Sequence, residues 1–401
     1  MKTHYQIVII GGGNAGISTA AQLIKKRKSL EIAIIEPSEF HYYQPAWTLA
    51  AGGVFDITKT KKQQKDFIPI GVKWIQDKVT TINATQNQLQ LQSNTTLTYN
   101  VLIVCPGIQI DWNKIDGLKE ALQKENVNSV YSYDTAQKMF QSLKNFKSGN
   151  AIFTSPNTPV KCGGAPQKIM YLTADFLRKK KLRKENMIHF YSGGSMIFGV
   201  KKYANTLEKV ISRYDIQTHF KHNLFKIDSE NNIAYFKFLD TNNIEQITKV
   251  PYGLLHVTPP QSAPDFIKNS ELAEPSNPLG WVDVNKHTLQ HKIFKNVFAL
   301  GDVTNTANAK TGAAIRKQAP VIVNNILSFI DNTELINSYN GYGSCPLITG
   351  YGKLVLAEFD YANQPTETFP FDQSKERLSM YLMKTKLLPW LYWNKILKGK
   401  M

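Results

Sequence analysis

Cysteine is scarce in this chain. Cys105, Cys162 and Cys345 are the three that occur among 401 residues. Three are too few for the disulfide framework of a small secreted domain, and an odd number leaves at least one unpaired. A structural zinc site needs four ligands set close together, and neither the cysteines nor the eight histidines have that spacing. The sequence therefore predicts neither a disulfide scaffold nor a metal site.

Long apolar runs and a leader sequence are also lacking. No window reaches eighteen consecutive apolar residues, so a membrane-spanning helix is not expected. A strand-like run begins almost at once, at residues 5–10, without a basic and apolar leader before it. We therefore expect a chain that carries no export signal.

Acidic residues are few relative to basic ones. The chain has 31 Asp and Glu against 48 Lys and Arg, which gives a formal net charge of +17. Such a surplus favours an anionic partner, either nucleic acid or lipid head groups. Because the sequence contains no motif of the DNA- or RNA-binding folds, no nucleic-acid partner is predicted.

Length and composition indicate a globular protein of two domains. A chain of 401 residues exceeds what one hydrophobic core usually serves. Hydrophobic residues make up 42% and charged residues 20%, which is ordinary for a folded protein.

The amino terminus carries a dinucleotide-binding pattern. An apolar run at residues 6–10 leads directly into Gly11-Gly12-Gly13-Asn14-Ala15-Gly16, and an Ala-rich helix follows. In this pattern Gly11 permits a tight turn, Gly13 lets a pyrophosphate approach the backbone, and Gly16 lets helix and strand pack closely. The first N–H groups of the helix, including those near Asn14 and Ala15, then face the phosphates.

An acidic residue completes the pattern. A second apolar run at residues 32–35 ends in Glu36, twenty positions after Gly16. At that spacing a carboxylate accepts hydrogen bonds from the adenosine ribose. Because strand, turn, helix, second strand and acid occur in order, the sequence predicts a bound dinucleotide rather than an empty glycine loop.

Two later motifs resemble those of flavoproteins with two dinucleotide-binding domains. Residues 296–302 form an apolar run ending in Gly301-Asp302, like the motif whose Asp binds the FAD ribityl chain. Residues 99–107 end in Cys105-Pro106-Gly107, like the motif where the first FAD segment passes to the second domain. This resemblance implies that the amino-terminal site holds FAD, with Gly107 and Asp302 among its contacts.

A second Rossmann-like domain is expected between residues 116 and 292, where strands and helices alternate again. NADH-using members of the same group have a second G-x-G-x-x-G there. This chain has Ser192-Gly193-Gly194-Ser195-Met196-Ile197-Phe198-Gly199, with the third glycine displaced and bulky side chains in the turn. Such a turn is a poor phosphate cradle, which argues against a nicotinamide cofactor.

The predicted fold is therefore α/β, with two Rossmann-like domains and a carboxy-terminal amphipathic tail. The predicted division is 1–115 for the first FAD-binding segment, 116–292 for the second domain, 293–376 for the second FAD-binding segment and 377–401 for the tail.

The three cysteines differ in their sequence surroundings. Cys162 lies just before a predicted helix and between Lys161 and Lys168, and both features favour a thiolate. Cys345 lies in a turn-like, exposed-looking sequence before a strand, and Cys105 ends an apolar strand as a small core residue. Because roughly 180 residues separate Cys162 from Cys345, spacing alone leaves open whether they form a functional pair or serve as buried apolar residues.

The chain as a whole resembles the sulfide:quinone oxidoreductases, and in detail the branch that includes the mitochondrial enzymes. The matching stretches are residues 41–49 (HYYQPAWTL), 105–111 (CPGIQID), 161–168 (KCGGAPQK), 344–351 (SCPLITGY), 381–384 (YLMK) and 388–393 (LPWLYW).

This resemblance implies the site and the reaction. Cys162 and Cys345 would form the redox-active pair beside the flavin. Gln44, Lys310 and Thr311 would contact FAD, with the helix after Lys310 pointing at the flavin ring. Hydrosulfide would open a Cys162–Cys345 bridge and leave a persulfide on Cys345. A small thiol or a second sulfide would remove the sulfur, and a membrane quinone would accept the electrons.

The carboxy-terminal stretch 377–401 is basic, aromatic and amphipathic. It contains six basic and no acidic residues, with tyrosines and tryptophans among Leu, Ile and Met, and Pro389 is expected to break it into two short helices. It suits the membrane interface, although a terminal helix docked on the protein core is the alternative. We expect a peripheral, monotopic protein, on the cytoplasmic face of a bacterial inner membrane or in a processed organellar form, and a homo-oligomer is compatible with the sequence.

Other functions fit part of the pattern. A type II NADH:quinone reductase shares the fold, but the turn at 192–199 argues against it. A sulfide dehydrogenase passing electrons to a cytochrome would be exported and would lack the tail. A non-catalytic, flavin-bound redox sensor at the membrane is the non-enzymatic alternative.

Overall fold

The computed structural model describes residues 2–401, which form two mainly parallel sheets and several small antiparallel ones. Up to residue 110 the strands are β1 (His4–Ile10), β2 (Ile32–Ile35), β3 (Phe40–Tyr42), β4 (Lys61–Gln63), β5 (Val72–Ile75), β6 (Val79–Asn83), β7 (Gln88–Leu91), β8 (Thr96–Val104) and β9 (Gln109–Ile110). The following strands are β10 (Val127–Asn128), β11 (Gly149–Ser155), β12 (Asn186–Ser192), β13 (Ile216–Phe220), β14 (Asn223–Asp228), β15 (Ile233–Leu239), β16 (Glu245–Pro251), β17 (Leu254–His256), β18 (Gln261–Ser262), β19 (Val297–Ala299), β20 (Gly343–Gly350) and β21 (Lys353–Phe359).

The α-helices are α1 (Asn14–Lys26), α2 (Trp47–Ala51), α3 (Leu118–Ala121), α4 (Tyr133–Asn145), α5 (Ala165–Lys179), α6 (Lys201–Arg213), α7 (Asp265–Lys268), α8 (Gly312–Ile330), α9 (Leu378–Leu382) and α10 (Leu388–Leu391).

The first sheet is built around β1. Strands β2 and β8 pair with β1 in parallel, β5 pairs with β2, and β19 pairs with β8. Residues 7–10 of β1 are apolar throughout because both faces of the sheet are covered, one by α1 and α8 and the other by residues 263–303. The carboxyl ends of β1, β2, β8 and β19 meet at one edge, which is where ligands bind in open α/β sheets.

The second sheet has the order β10-β17-β11-β12-β13, and all its pairs are parallel. Helices α4, α5 and α6 and the hairpin β20–β21 cover one face, and the antiparallel sheet β14–β15–β16 covers the other. These two sheets agree with the α/β fold that the sequence predicts. Ala263, Ile267 and Val282, from the predicted second domain, contribute their side chains to the core of the first sheet.

The carboxy-terminal segment, residues 377–401, is helical over most of its length. Helices α9 and α10 are joined by a π-helical turn at Met383–Leu387, and a second π turn follows at Tyr392–Ile396. The expected break at Pro389 is absent. Pro389 lies in the first turn of α10, where proline is well tolerated in a helix.

This segment has one buried face and one exposed face. Met380, Tyr392 and Trp393 pack into the protein, whereas Leu382 and Trp390 are 48% and 52% exposed. Among residues 2–401, none of the helices has both the length and the apolar character needed to cross a membrane.

Candidate active site

The turn between β1 and α1 has the shape that a dinucleotide needs. Gly11 has a φ of +103°, and a Cβ on Gly16 would lie 1.9 Å from the Gly11 carbonyl oxygen, so both positions require glycine. A Cβ on Gly13 would meet nothing within 4 Å, so the backbone there is open to an approaching phosphate. Asn14 and Ala15 begin α1 immediately afterwards, where the N–H groups have no intrahelical partner.

Glu36 follows β2 at the same edge of the sheet. Its Oε2 accepts a hydrogen bond from the Gly12 N–H and its Oε1 accepts one from the Ser38 N–H, both at 2.8 Å. Burial raises the pKa of Glu36, and these two backbone bonds oppose the rise. Each carboxylate oxygen can accept a further bond, so Glu36 remains able to receive ribose hydroxyls.

Asp302 brings a second chain segment to this edge. It follows β19, and Lys310 Nζ donates to the carbonyl oxygens of Asp302 and Thr304 at 2.7 and 2.8 Å. Burial lowers the pKa of Lys310 to about 8, opposed by the Asp302 charge. Burial also raises the pKa of Asp302, opposed by Lys310 and then by Lys161. A carboxylate and two lysines therefore stand together at the end of the first sheet.

Thr311 begins the helix that points toward the glycine turn. Its Oγ1 accepts a hydrogen bond from the Ala314 N–H at 3.3 Å and caps α8. A Cβ on Gly312 would lie 3.5 Å from Asn14 Nδ2. The amino termini of α8 and α1 therefore adjoin, and both favour negative charge at this position.

Gln44 and Gly107, the other predicted cofactor contacts, lie on separate loops. Gln44 Oε1 accepts a hydrogen bond from Lys161 Nζ at 2.8 Å, so its loop contacts the one that carries Cys162. Gly107 has a φ of +81°, and a Cβ there would meet nothing within 4 Å. The backbone at Gly107 is therefore open to an approaching ligand, as the backbone at Gly13 is.

Buried polar atoms support the fit of a polar cofactor to this region. Asn308 Oδ1 and Gln261 Nε2 are buried and have no hydrogen-bond partner among residues 2–401. Gln261 Oε1 already accepts a bond from the Lys161 N–H at 2.9 Å, and Asn308 lies two residues before Lys310. Donors and acceptors next to the lysines thus remain available, as a bound dinucleotide requires.

Cys162 lies where the two parallel sheets meet. It precedes α5, has a φ of +50°, and its N–H donates to the Lys310 carbonyl oxygen at 2.8 Å. A Cβ on Gly164 would lie 2.6 Å from Cys345 Sγ, so glycine there leaves room for the second thiol. The structure therefore brings Cys162 and Cys345 together, both as free thiols, beside the predicted flavin segment.

Cys345 does not lie in an exposed turn, as its sequence suggested. It is 4% exposed and lies within β20, which packs on α5 with Leu347 in one hydrophobic core. The Gly- and Ser-rich sequence before it resembles a turn, but pairing with β21 places these residues in a hairpin.

The electrostatic surroundings make the two thiols unequal. A hydrogen bond with the Cys345 thiol and then the charge of Lys168 hold the pKa of Cys162 well below its usual range, although burial opposes this. The bond with Cys162 and then burial raise the pKa of Cys345. Lys168 Nζ lies 3.1 Å from Cys162 Sγ. Cys162 is therefore the thiolate of the pair and the better leaving group.

Lys161, in contrast, does not contact the thiol. Its ammonium group binds Gln44 and lies 5.6 Å from the Trp47 ring centroid. Sequence proximity placed it beside Cys162, but the turn at Cys162 directs the two side chains apart.

Lys384 is a site residue that the sequence interpretation missed. It belongs to the carboxy-terminal segment and is 4% exposed. Burial and then the Lys168 charge lower the pKa of Lys384 to about 8, while Cys162 and Cys345 oppose the fall. Lys384 lies four residues after Met380, and residues with this spacing share one face of a helix. The spacing was therefore the sequence feature that could have predicted that Lys384 is buried with Met380.

Tyr131 also adjoins the cysteine pair. Its hydroxyl lies 3.5 Å from the Cys162 carbonyl oxygen. Burial and then the Cys162 charge raise the pKa of Tyr131 well above its usual value, so it stays a neutral donor.

Cys105 lies apart from the pair, with its Sγ 3.7 Å from the Gly11 carbonyl oxygen. Burial and then the charge of Glu36 raise the pKa of Cys105.

The turn after β12 is filled by protein. A Cβ on Gly193 would lie 2.2 Å from Asn223 Oδ1, which itself accepts a bond from the Asn157 N–H. Ile197 is buried, and α6 begins only at Lys201. A phosphate at this strand end would meet side chains instead of a helix amino terminus.

His219 and His222, two of the eight histidines, are half-buried. The His219 ring stacks on Tyr191 with centroids 4.1 Å apart, and His222 stacks on Phe238 at 4.3 Å. Over residues 2–401 no cluster of three His, Cys, Asp or Glu side chains is arranged to hold a metal ion.

Comparison with known proteins places this geometry in context. The family model for pyridine nucleotide-disulphide oxidoreductases matches residues 5–165. The mitochondrial sulfide:quinone oxidoreductase of Mus musculus is 46% identical over 398 residues, covering 99% of this chain and 87% of the relative. That of Dictyostelium discoideum is 43% identical over 402 residues, covering 100% and 87%.

A solved structure shares the fold. The sulfide:quinone oxidoreductase of Aquifex aeolicus superposes with a TM-score of 0.82 at 20% identity, covering 99% of this chain and 92% of that one.

Proposed function

The chain belongs to the sulfide:quinone oxidoreductase family, and we propose that it oxidises hydrosulfide at the Cys162–Cys345 pair and passes two electrons to a membrane quinone. It is an FAD-dependent oxidoreductase, and the glycine turn, Glu36 and the start of α8 would hold the cofactor. The observation that carries the proposal is the pair of thiols between Lys168 and the Lys310 loop.

The first chemical step uses the unequal acidity of the two cysteines. In the oxidised enzyme the two sulfurs form a disulfide bond, and hydrosulfide attacks the sulfur of Cys345. The new bond leaves a persulfide on Cys345, and the broken bond leaves Cys162 as a thiolate. Lys168 stabilises this leaving group, which makes attack at Cys345 the favoured direction.

The second step returns the pair to its starting state. A small thiolate or a second hydrosulfide takes the terminal sulfur from Cys345 and leaves a second thiolate. The two thiolates then re-form the disulfide and release two electrons. FAD held by the glycine turn and Glu36 would supply a two-electron acceptor between the cysteine pair and quinone, and the amino terminus of α8 would favour the resulting negative charge.

The filled turn at residues 192–199 favours this function over an NADH:quinone reductase. Asn223 and Asn157 lie against Gly193, and α6 begins only at Lys201, nine residues after the end of β12. We therefore propose that the second domain supports Cys162 and does not bind a nicotinamide cofactor. We propose the predicted division into 1–115, 116–292, 293–376 and 377–401, with residues 263–292 of the second segment packing back onto the first sheet.

We further propose that the carboxy-terminal segment rests on a membrane surface. Leu378, Leu382, Leu387 and Trp390 are exposed apolar side chains on its outer face. Exposed Lys386 lies among them and would pair with anionic lipid. The proposed location is peripheral, on the cytoplasmic face of a bacterial inner membrane or on an organellar one.

The test is a visible spectrum of the purified enzyme before and after sulfide, followed by turnover with a water-soluble quinone. The expected result is flavin bleaching by sulfide and steady quinone reduction. Cys162→Ser and Cys345→Ser should each abolish bleaching, whereas Cys105→Ala should retain it, because Cys105 lies outside the pair. Full bleaching by sulfide in both serine variants would overturn the scheme. Reduction of the flavin by NADH would favour an NADH:quinone reductase. Bleaching by sulfide without steady quinone reduction would indicate a redox sensor.

A further inference from the structure

His41 connects the cofactor turn with the carboxy-terminal segment. It is 3% exposed, and its Nδ1 lies 3.2 Å from the Gly12 carbonyl oxygen. Its Nε2 lies 2.6 Å from the hydroxyl of Tyr392, a residue 351 positions away. One buried imidazole therefore joins the dinucleotide turn to the last helical turn of the chain.

The chemistry of the partners fixes the direction of each hydrogen bond. The Gly12 carbonyl and Gln64 Oε1, which lie 3.2 and 3.1 Å from Nδ1 of His41, can only accept, so Nδ1 carries the proton and shares it between them. Nε2 is then an acceptor, and the Tyr392 hydroxyl donates to it. Burial lowers the pKa of His41 to about 4, opposed by its bonds to Gln64 and Gly12, so the ring is neutral and this arrangement persists at neutral pH.

The Gly12 peptide is held on both sides. Its N–H donates to Glu36, and its carbonyl also accepts a bond from Gln64 Nε2 at 2.8 Å. A Cβ on Gly12 would lie 2.3 Å from Gln64 Nε2, so the surrounding groups are in close contact. A shift of His41 would therefore move the backbone that must receive the pyrophosphate.

The carboxy-terminal segment encloses His41 from the other side. The ring centroids of Tyr392 and Trp393 each lie 5.7 Å from that of the imidazole, and the Tyr43 ring packs against Tyr392 in a tilted arrangement with centroids 4.6 Å apart. Without this segment, His41 would face water and the Nε2 acceptor would lose its buried partner. His41 is thus one side chain that contacts both the segment and the Gly12 turn.

We propose that the His41–Tyr392 hydrogen bond makes docking of the carboxy-terminal segment and binding of FAD mutually reinforcing. Tyr392 acts as a positioning residue through His41 and does not touch the reacting atoms. Because coupling between two sites is reciprocal, FAD should hold the segment in place as much as the segment holds FAD. The inference requires a flavin dinucleotide at the turn and does not depend on sulfide as substrate.

The test compares Tyr392→Phe with Tyr43→Phe in the holoenzyme. Both remove one hydroxyl from the same aromatic cluster, but the Tyr43 hydroxyl makes no hydrogen bond to a residue in the range 2–401. FAD release after dilution is followed by the rise in flavin fluorescence. Loss of one buried hydrogen bond should accelerate release about fivefold in Tyr392→Phe. Tyr43→Phe should release FAD at the original rate.

A second measurement separates this link from a general loss of structure. Trypsin cleavage of the segment after Lys386 or Lys395 is followed by mass, with and without excess FAD. Excess FAD should slow cleavage of the original protein and have little effect on Tyr392→Phe. In a double-mutant cycle with His41→Ala, the two effects on FAD release should not add. Equal release rates in Tyr392→Phe and Tyr43→Phe, or additive effects, would overturn the proposal even if sulfide oxidation is retained.

Discussion

Lys168 Nζ lies 3.1 Å from Cys162 Sγ, and the two residues are separated by the first turn of α5. The lysine is 2% exposed, so its charge is removed from water and acts on the cysteine pair, with Cys162 Sγ within hydrogen-bond distance. Burial alone would lower the pKa of Lys168, but the two cysteines outweigh it and raise that pKa. The lysine therefore remains charged, and the charge favours the Cys162 thiolate over the thiol.

Lys168→Met should raise the pKa of Cys162 and slow the sulfide-dependent reduction of FAD. Loss of the nearby positive charge should shift the midpoint of the pH–rate profile upward by about one pH unit. At pH 7 this corresponds to a rate that is lower by about tenfold. Stopped-flow bleaching of the flavin between pH 6 and 9 measures both quantities. Lys180→Met, just beyond the other end of α5 and exposed, is the matched control and should leave the profile unchanged. An unshifted profile in Lys168→Met would contradict the assigned role.

Lys384→Met should make the protein more stable near neutral pH while slowing flavin reduction. Burial lowers the pKa of Lys384 to about 8 in the folded state, from 10.5 when unfolded. Below pH 8 Lys384 is charged in both the folded and the unfolded protein. Burying that charge lowers the free energy of unfolding by an amount on the order of 3 kcal/mol. Between pH 8 and 10.5 the folded state binds fewer protons, so the stability of the original protein should rise across that window.

Thermal unfolding of the holoenzyme at pH 7 and pH 9.5 tests this assignment. The original protein should gain stability relative to Lys384→Met as the pH rises. If both proteins respond equally, Lys384 does not titrate in that window.

The His256→Gln variant should lose less stability than the original protein when the pH is lowered. Burial lowers the pKa of His256 to about 3, far below 6.5, and its Nε2 accepts a hydrogen bond from the Val130 N–H at 3.2 Å. Below pH 6.5 the unfolded chain binds a proton there that the folded protein excludes, so stability falls with pH down to about pH 3. Between pH 6.5 and 5 this one residue should account for about 2 kcal/mol.

Urea unfolding at pH 6.5 and 5 measures the difference, because glutamine can accept the same hydrogen bond without titrating. An identical loss in both proteins would show that His256 is not responsible.

Trp390→Asp should weaken binding to anionic lipid vesicles. Its side chain is 52% exposed on the outer face of the carboxy-terminal segment, and removal of one large apolar group from a lipid contact should cost about 2 kcal/mol, or roughly thirtyfold in partitioning. Co-sedimentation with vesicles measures the change. Ile247→Asp, 53% exposed on β16, is the control and should bind vesicles like the original protein. Equal binding by both variants would argue against this surface.

The glycine turn and Glu36 could be predicted because the βαβ unit is continuous in sequence. Gly11, Gly16 and Glu36 are placed by the ends of two adjacent strands and one helix, so their spacing in the chain determines their spacing in space. The predicted FAD site depended on this local order. Lys168 is a similar case, since one helical turn carries it back toward Cys162.

The pairing of Cys162 with Cys345 depended on packing between distant parts of the chain. Cys345 reaches the start of α5 because hairpin β20–β21 packs on that helix, and its turn-like sequence gave the wrong impression of exposure. Family resemblance predicted the pair, whereas residue spacing left it open.

By itself, the sequence determined the α/β fold, the dinucleotide turn and the charged helix start beside Cys162, because each depends on short-range spacing. Only the tertiary structure decided that Lys384 faces the cysteines, that Lys161 turns away to Gln44, and that His41 bonds to Tyr392. These contacts join residues far apart in the chain or depend on the direction of a side chain at a turn. Their positions follow from the packing of the whole core, which no local pattern encodes.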